Sequence, residues 1–184
     1  MSRLLHIIFF AATLSFAQLP TDQDAKVVFV EVVKADSLSK GDLFHNARVW
    51  TEALDKKLTI TYVDSVKGEL SGHGSLLIYY QQGVFRKLSG RVSFAATVEV
   101  KDGKYRYTFT DFVYHYYERD RYYNMVETNR TKKLEDEEAA GWQKKWEQCR
   151  VDTQLEIKGM IASLDKRMKA KPQQGQTKPG KLDW

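Results

Sequence analysis

Among its 184 residues the chain has one cysteine, Cys149. A lone cysteine closes no internal disulfide, so the fold must rest on packing even in an oxidising compartment. Free cysteine is among the most buried residue types, and Cys149 is expected as a small buried residue on a helix face rather than a reactive thiol or an intermolecular bridge. The common catalytic signatures are missing too. There is no Gly-x-Ser-x-Gly, Cys-x-x-Cys, His-Glu-x-x-His or phosphate-binding loop. Beyond residue 17 no stretch is long and apolar enough to span a bilayer, which takes about 20 residues. The body also lacks net charge, although the whole chain carries +5. Residues 166–184 hold six basic side chains and only Asp183 to oppose them. Setting that tail and Arg3 aside leaves 22 basic and 23 acidic residues. A near-neutral body has no electrostatic footprint for a phosphate backbone, so no nucleic-acid partner is expected.

The N-terminus has the pattern of an export signal. Arg3 supplies the positive region, Leu4–Phe16 the apolar run, and Ser15 and Ala17 the small residues of a cleavage site after Ala17. The expectation is a signal peptide over 1–17, a single α+β domain over 18–168 with a long C-terminal helix from about 134, and a disordered basic tail over 169–184. The tail is Pro/Gly/Gln-rich beyond Lys171. Its lysines could touch an anionic envelope surface weakly, each worth about 1 kcal/mol.

Periodicity divides the body into elements. Lys26–Val33 is β-branched and predicts a strand. Ser39 three residues before Asp42 is a form of capping box, and Leu43, Phe44, Ala47, Val49, Trp50, Ala53 and Leu54 recur at helical spacing behind it. Leu58–Val63 and Glu69–Tyr80 predict two more strands. The second sets Leu70, Gly72, Gly74, Leu76, Ile78 and Tyr80 on one face and His73 on the other. Two glycines on an apolar face predict a close approach to the backbone, by the long C-terminal helix in preference to a ligand. Gln81–Gly90 reads as a loop or short irregular strand. Arg91–Val100 and Lys104–Tyr117 flank Asp102-Gly103, a type I′ hairpin signal. Strict alternation then places Tyr105, Tyr107 and Phe109 opposite Phe112, Tyr114 and Tyr116. Glu118–Lys133 is polar and reads as an exposed connection. Glu135–Glu138 is expected to open the last helix, whose apolar stripe is Trp142, Trp146, Cys149, Leu155, Met160, Ile161, Leu164 and Met168. The result is an antiparallel sheet with both helices packed on one face.

The stretch VVFVEVV, the helix ending near Trp50, the glycines 68, 72 and 74, and above all VEVKDGKYRYTFTDF (Val98–Phe112) carry a resemblance. They resemble a family of exported Gram-negative proteins known as a domain of unknown function with a TATA-binding-protein-like fold, over roughly residues 20–120. The resemblance implies the order β-α-β4-α. It implies no activity, cofactor or catalytic residue, and the fold name implies no DNA binding.

What remains is a short set of candidates. Serines 71 and 75 flank His73 on one strand, but neighbours two apart are parallel and aim no base at a nucleophile. Glu135–Glu138 point in different directions along a helix and cannot converge on a cation. No cofactor is expected. The aromatic set is the strongest candidate. Phe112, Tyr114, Tyr116 and Tyr117, with Arg119 and Arg121, have the composition of a binding surface for an envelope protein, peptide or glycan. The expected function is a non-catalytic periplasmic or envelope interaction module. The alternatives are an envelope hydrolase, which requires polar groups converging on His73 or His115, and a structural or assembly factor.

Overall fold

The computed structural model describes residues 19–54, 57–80 and 86–170. The signal-peptide segment, most of the basic tail and residues 81–85 of the expected loop lie outside them. The order is β1 (Phe29–Lys34), α1 (Lys40–Ala53), β2 (Leu58–Asp64), β3 (Glu69–Tyr80), β4 (Lys87–Lys101), β5 (Lys104–Arg119), β6 (Met125–Lys133) and α2 (Gln143–Met168). All strand pairs are antiparallel, and the sheet runs β1-β5-β4-β3-β2, with β6 also on β5. The α+β class and the one-sided helix layer are as the periodicity predicts. The order carries one more strand than expected, because the polar segment around 125–133 is β6 and not a free connection. Its pattern is neither apolar nor alternating, since it is a sheet-edge strand with most side chains in water.

Local chemistry explains the helix start and the hairpin. Ser39 and Asp42 form the full capping box, each side chain bonded to the other's backbone nitrogen. The hairpin turn is not type I′. Gly103 has φ +70, whereas Asp102 keeps a negative φ. The reason is tertiary: Asp102 Oδ1 accepts from Lys40 N (2.8 Å), and Gly103 bonds through its N–H to Leu38 O and through its C=O to Ala35 N. The entrance of α1 thus grips the turn.

One face of the sheet is packed under α1 and α2. Leu70, Leu76, Ile78, Val92, Phe94, Ala96, Val98 and Val100 point into that layer with Leu43, Trp50, Trp146, Ile157 and Leu164. Tyr80, expected on the same face, is exposed. The α1–α2 contact adds a Trp50 Nε1 hydrogen bond to Ser163 Oγ (2.9 Å) and an Asn46 Nδ2 bond to Ala170 O (2.8 Å). The nearest neighbours of the β3 glycines are strands, not the long C-terminal helix. A Cβ on Gly74 would collide with the Phe94 ring of β4, and one on Gly72 with the Thr59–Ile60 backbone of β2. The space belongs to neighbouring strands, where β2 bulges between Ile60 and Tyr62.

The last helix begins later than its carboxylates suggest. Gly141 (φ +80) precedes it, and Glu135–Glu138 lie in irregular chain before its first turn. There Asp136 pairs with Lys132 and Glu137 with Arg150. The buried stripe of α2 is Trp146, Cys149, Thr153, Gln154, Ile157, Met160, Leu164 and Met168, while Leu155 is exposed. Thr153 escapes a hydropathy reading, yet it is tolerated inside because its hydroxyl donates to Cys149 O (2.8 Å). Cys149 is buried as expected, and desolvation pushes its thiol up to about 12, which keeps it protonated and unreactive.

Candidate functional site

The geometry of β5 decides the fate of the aromatic set. Between Thr110 and Val113 the β4–β5 register slips, because β5 carries one extra residue there. Asp111 takes φ +55, a left-handed conformation that aspartate tolerates better than most residues. The inserted residue resets the alternation. Tyr105, Tyr107 and Phe109 face the helices, and after the bulge so do Phe112 and Tyr114. The two aromatic runs therefore share a face instead of opposing each other.

This overturns part of the expected binding surface. Phe112 is in the core, stacked 5.8 Å from Phe94 and edge-on 5.7 Å from Phe29. Tyr114 is also in the core, against Trp146 (5.8 Å), with its hydroxyl donating to Ser89 O (2.8 Å). Burial pushes that hydroxyl up to about 12. Tyr116 is half-buried against Trp142 (5.3 Å) beneath the Arg130 guanidinium. Tyr117 lies on the opposite, helix-free face. Arg119 ends β5, and Arg121 sits in the β5–β6 turn over the Tyr122 ring (4.8 Å). The six residues are split between the core, the foot of α2, the open face and the turn.

That turn is rigidly built. Asp120 Oδ1 accepts from Tyr122 N and Asn124 N, both at 2.8 Å, and these bonds hold its carboxyl below the usual range. Tyr123 is forced to φ +66, an uncommon conformation for a bulky residue. Tyr122 and Tyr123 are 68% and 80% exposed. They lie between Arg119, Arg121 and the start of β6, and they extend the original aromatic candidate where its core members drop out.

The helix-free face holds a second cluster that no local motif announces. Ser93 on β4, His115 on β5 and Glu127 on β6 stand side by side. Ser93 Oγ is 2.8 Å from His115 Nε2, and His115 Nδ1 is 2.9 Å from Glu127 Oε1. Arg91 clamps the same carboxylate with Nη2 at 2.8 Å and Nε at 3.1 Å, and Tyr117 donates to it at 3.2 Å. The Arg91 hydrogen bonds hold the Glu127 carboxyl below its ordinary value. These residues lie 22 and 12 positions apart, so only the pairing of three strands joins them. Strict alternation from Tyr105 would set His115 on the core face, and only the residue inserted at Asp111 turns it to the helix-free side. His73, by contrast, faces Thr59 and Ala95 across its neighbours, so polar groups converge on one histidine and not on the other. A hollow of about 170 Å³ lies on the sheet between Val32, Glu99, Lys104 and Arg106, apart from Ser93 and His115. Among the described residues no His/Cys/Asp/Glu group has metal-binding geometry, and no helix is long and apolar enough to cross a membrane.

Comparison with known proteins agrees with this architecture. The model of a family described as a domain of unknown function (DUF4468) with TBP-like fold matches residues 29–115. A DUF4468 family protein from Bacteroides ovatus superposes with a TM-score of 0.58 at 19% identity, covering 88% of this chain and 95% of that one. A TBP-like protein from Parabacteroides distasonis gives 0.64 at 16% identity, covering 81% and 96%. No curated protein matches the chain. Residues 29–115 of this chain match the DUF4468 family model, and its fold is TBP-like.

Proposed function

We propose that this protein is an exported interaction module that docks a protein partner of the cell envelope on the β5–β6 turn. The observation that carries the reading is the pair Tyr122 and Tyr123, both largely exposed on a turn locked by Asp120. Tyrosine offers a large, amphipathic contact area at low entropic cost, and arginine beside it adds charged hydrogen bonding. The left-handed Tyr123 adds support. A bulky residue in that conformation costs about 1–2 kcal/mol, which a turn chosen for stability alone would avoid with glycine or asparagine. Tyr117, Arg119 and Arg121 flank the turn and form the rest of the surface. Export is supported by Arg3, the apolar run to Phe16 and the small residues Ser15 and Ala17.

The test separates stability from binding. In a pull-down from envelope extracts, the native protein should retain a partner that Tyr122→Ser and Tyr123→Asn lose. Tyr123→Asn should melt no earlier than the native protein, because asparagine suits the left-handed position. Retention of the same partner by both variants removes the turn from consideration. The N-terminus of the mature protein, read by mass spectrometry, should be Gln18.

A further inference from the structure

We propose that Ser93 is an activated nucleophile for acyl transfer from carboxylic esters, with His115 as its base and Glu127 as the residue that positions the base. The order of contacts is the argument. Glu127, ionised and clamped by Arg91, faces Nδ1 of His115 at 2.9 Å, so Nδ1 must carry the proton. Nε2 is then left with a lone pair, and the nearest donor to it is the Ser93 hydroxyl at 2.8 Å. A serine beside a bare imidazole nitrogen, whose other nitrogen is fixed by a carboxylate, is the arrangement that raises serine nucleophilicity. The Ser93 hydroxyl has one competing acceptor, Val113 O, at a longer 3.4 Å. The charged and titratable groups around His115 are Arg91 from β4, Glu127 from β6 and Tyr117 from β5 itself. Lys133, across from Val113, is the next cation along this face.

The chemistry closes without a cofactor. Ser93 Oγ attacks the ester carbonyl as its proton passes to His115 Nε2. The tetrahedral adduct collapses, the bond to the leaving alcohol breaks, and the alkoxide takes the proton back from Nε2. Water then attacks the acyl-serine, giving its proton to Nε2, and the acid departs as Ser93 recovers its hydrogen. Among the described residues no helix covers the sheet face that carries these three side chains, so the ester is one borne by a larger molecule that can lie across β4, β5 and β6.

The full chain can be treated with a fluorophosphonate probe and the modified residue mapped by mass spectrometry. Labelling at Ser93 is expected, absent in Ser93→Ala and slowed about 100-fold in His115→Gln, in line with the loss of a general base. Ser71→Ala and Ser75→Ala, which change serines of the same face, should label at the native rate. In Glu127→Gln the imidazolium loses its counter-charge, so the acid limb of the labelling profile should move to lower pH, a change that a merely structural role would not produce. Absence of label at Ser93, or labelling undiminished in His115→Gln, overturns the proposal.

Discussion

The two halves of β5 carry similar sequences and meet different neighbours. Residues 104–109 pair with β1 and turn tyrosine and phenylalanine inward at odd positions. Residues 113–119 pair with β6 on the same side of the strand, and their inward aromatics fall at even positions. Asp111 sits where β1 has ended and β6 has not begun. One inserted residue thus lets a single strand serve two partners and still bury five aromatic rings on one face. The lesson is that an aromatic run is not a surface until its frame is known: alternation must be counted from the last bulge, not from the start of the strand.

Deleting Asp111 should break the comparison outright. Without the frame shift, one half of β5 must turn its aromatics outward. Each large aromatic removed from a core costs about 3–5 kcal/mol, against a total stability of about 5–15 kcal/mol for a domain. The expected outcome is a chain with no cooperative unfolding transition in urea. A smaller effect sharpens the contrast between faces within the second half. Tyr114→Ala should lose about 3–5 kcal/mol, whereas Tyr117→Ala, three residues on but on the helix-free side, should lose about 1 kcal/mol or less. Denaturant titration of both variants measures the difference directly. Asp111→Val keeps the residue count but forces a β-branched side chain to φ +55. A loss of about 1–2 kcal/mol is expected, with the aromatic frame preserved in the tyrosine fluorescence.

The same burial produces a pH dependence. Burial raises the Tyr114 hydroxyl above its ordinary 10.0 to about 12. A group whose folded value is raised stabilises the fold fully below the unfolded value, and that stability is lost as pH rises toward the folded one. Stability should therefore decline between about pH 10 and pH 12, and Tyr114→Phe should flatten that decline. Tyr105 and Tyr107 titrate higher still, being buried and hydrogen-bonded to Asp165 and Glu31. Tyrosinate absorbance followed alongside circular dichroism shows whether the loss of structure coincides with ionisation of the core tyrosines.

Much of the fold was legible because local and global preferences coincide. Glu69–Tyr80 reads as a strand with its exact inner face save Tyr80, and Ser39 with Asp42 marks the helix start that is found. The bulge was legible in principle: strict alternation would bury Asp111 with Tyr105 and Phe109, and an uncompensated carboxylate there is costly. The β6 strand was hidden because edge strands facing water need not alternate. The helix start at Gln143 was obscured by a run of carboxylates that resembles a first turn but finds its partners in Lys132 and Arg150. The Ser93–His115–Glu127 cluster lay beyond any linear reading, since its members meet only through two strand registers, one of them displaced by the bulge at Asp111. A reading that assumes no bulge misplaces every residue after it.

The pairing of β1 with β5 also has a consequence in time. Phe29 finds its partner in Phe109, whereas β2 through β5 pair with their immediate neighbours in sequence. Closing a long loop is entropically dearer than closing a hairpin, so the meander forms before the first strand can join it. The earliest part of the sheet to leave the ribosome is thus among the last to acquire its hydrogen bonds. The export proposed above would gain from such an order: the leading strand would have nothing to pair with until most of the sheet had followed it.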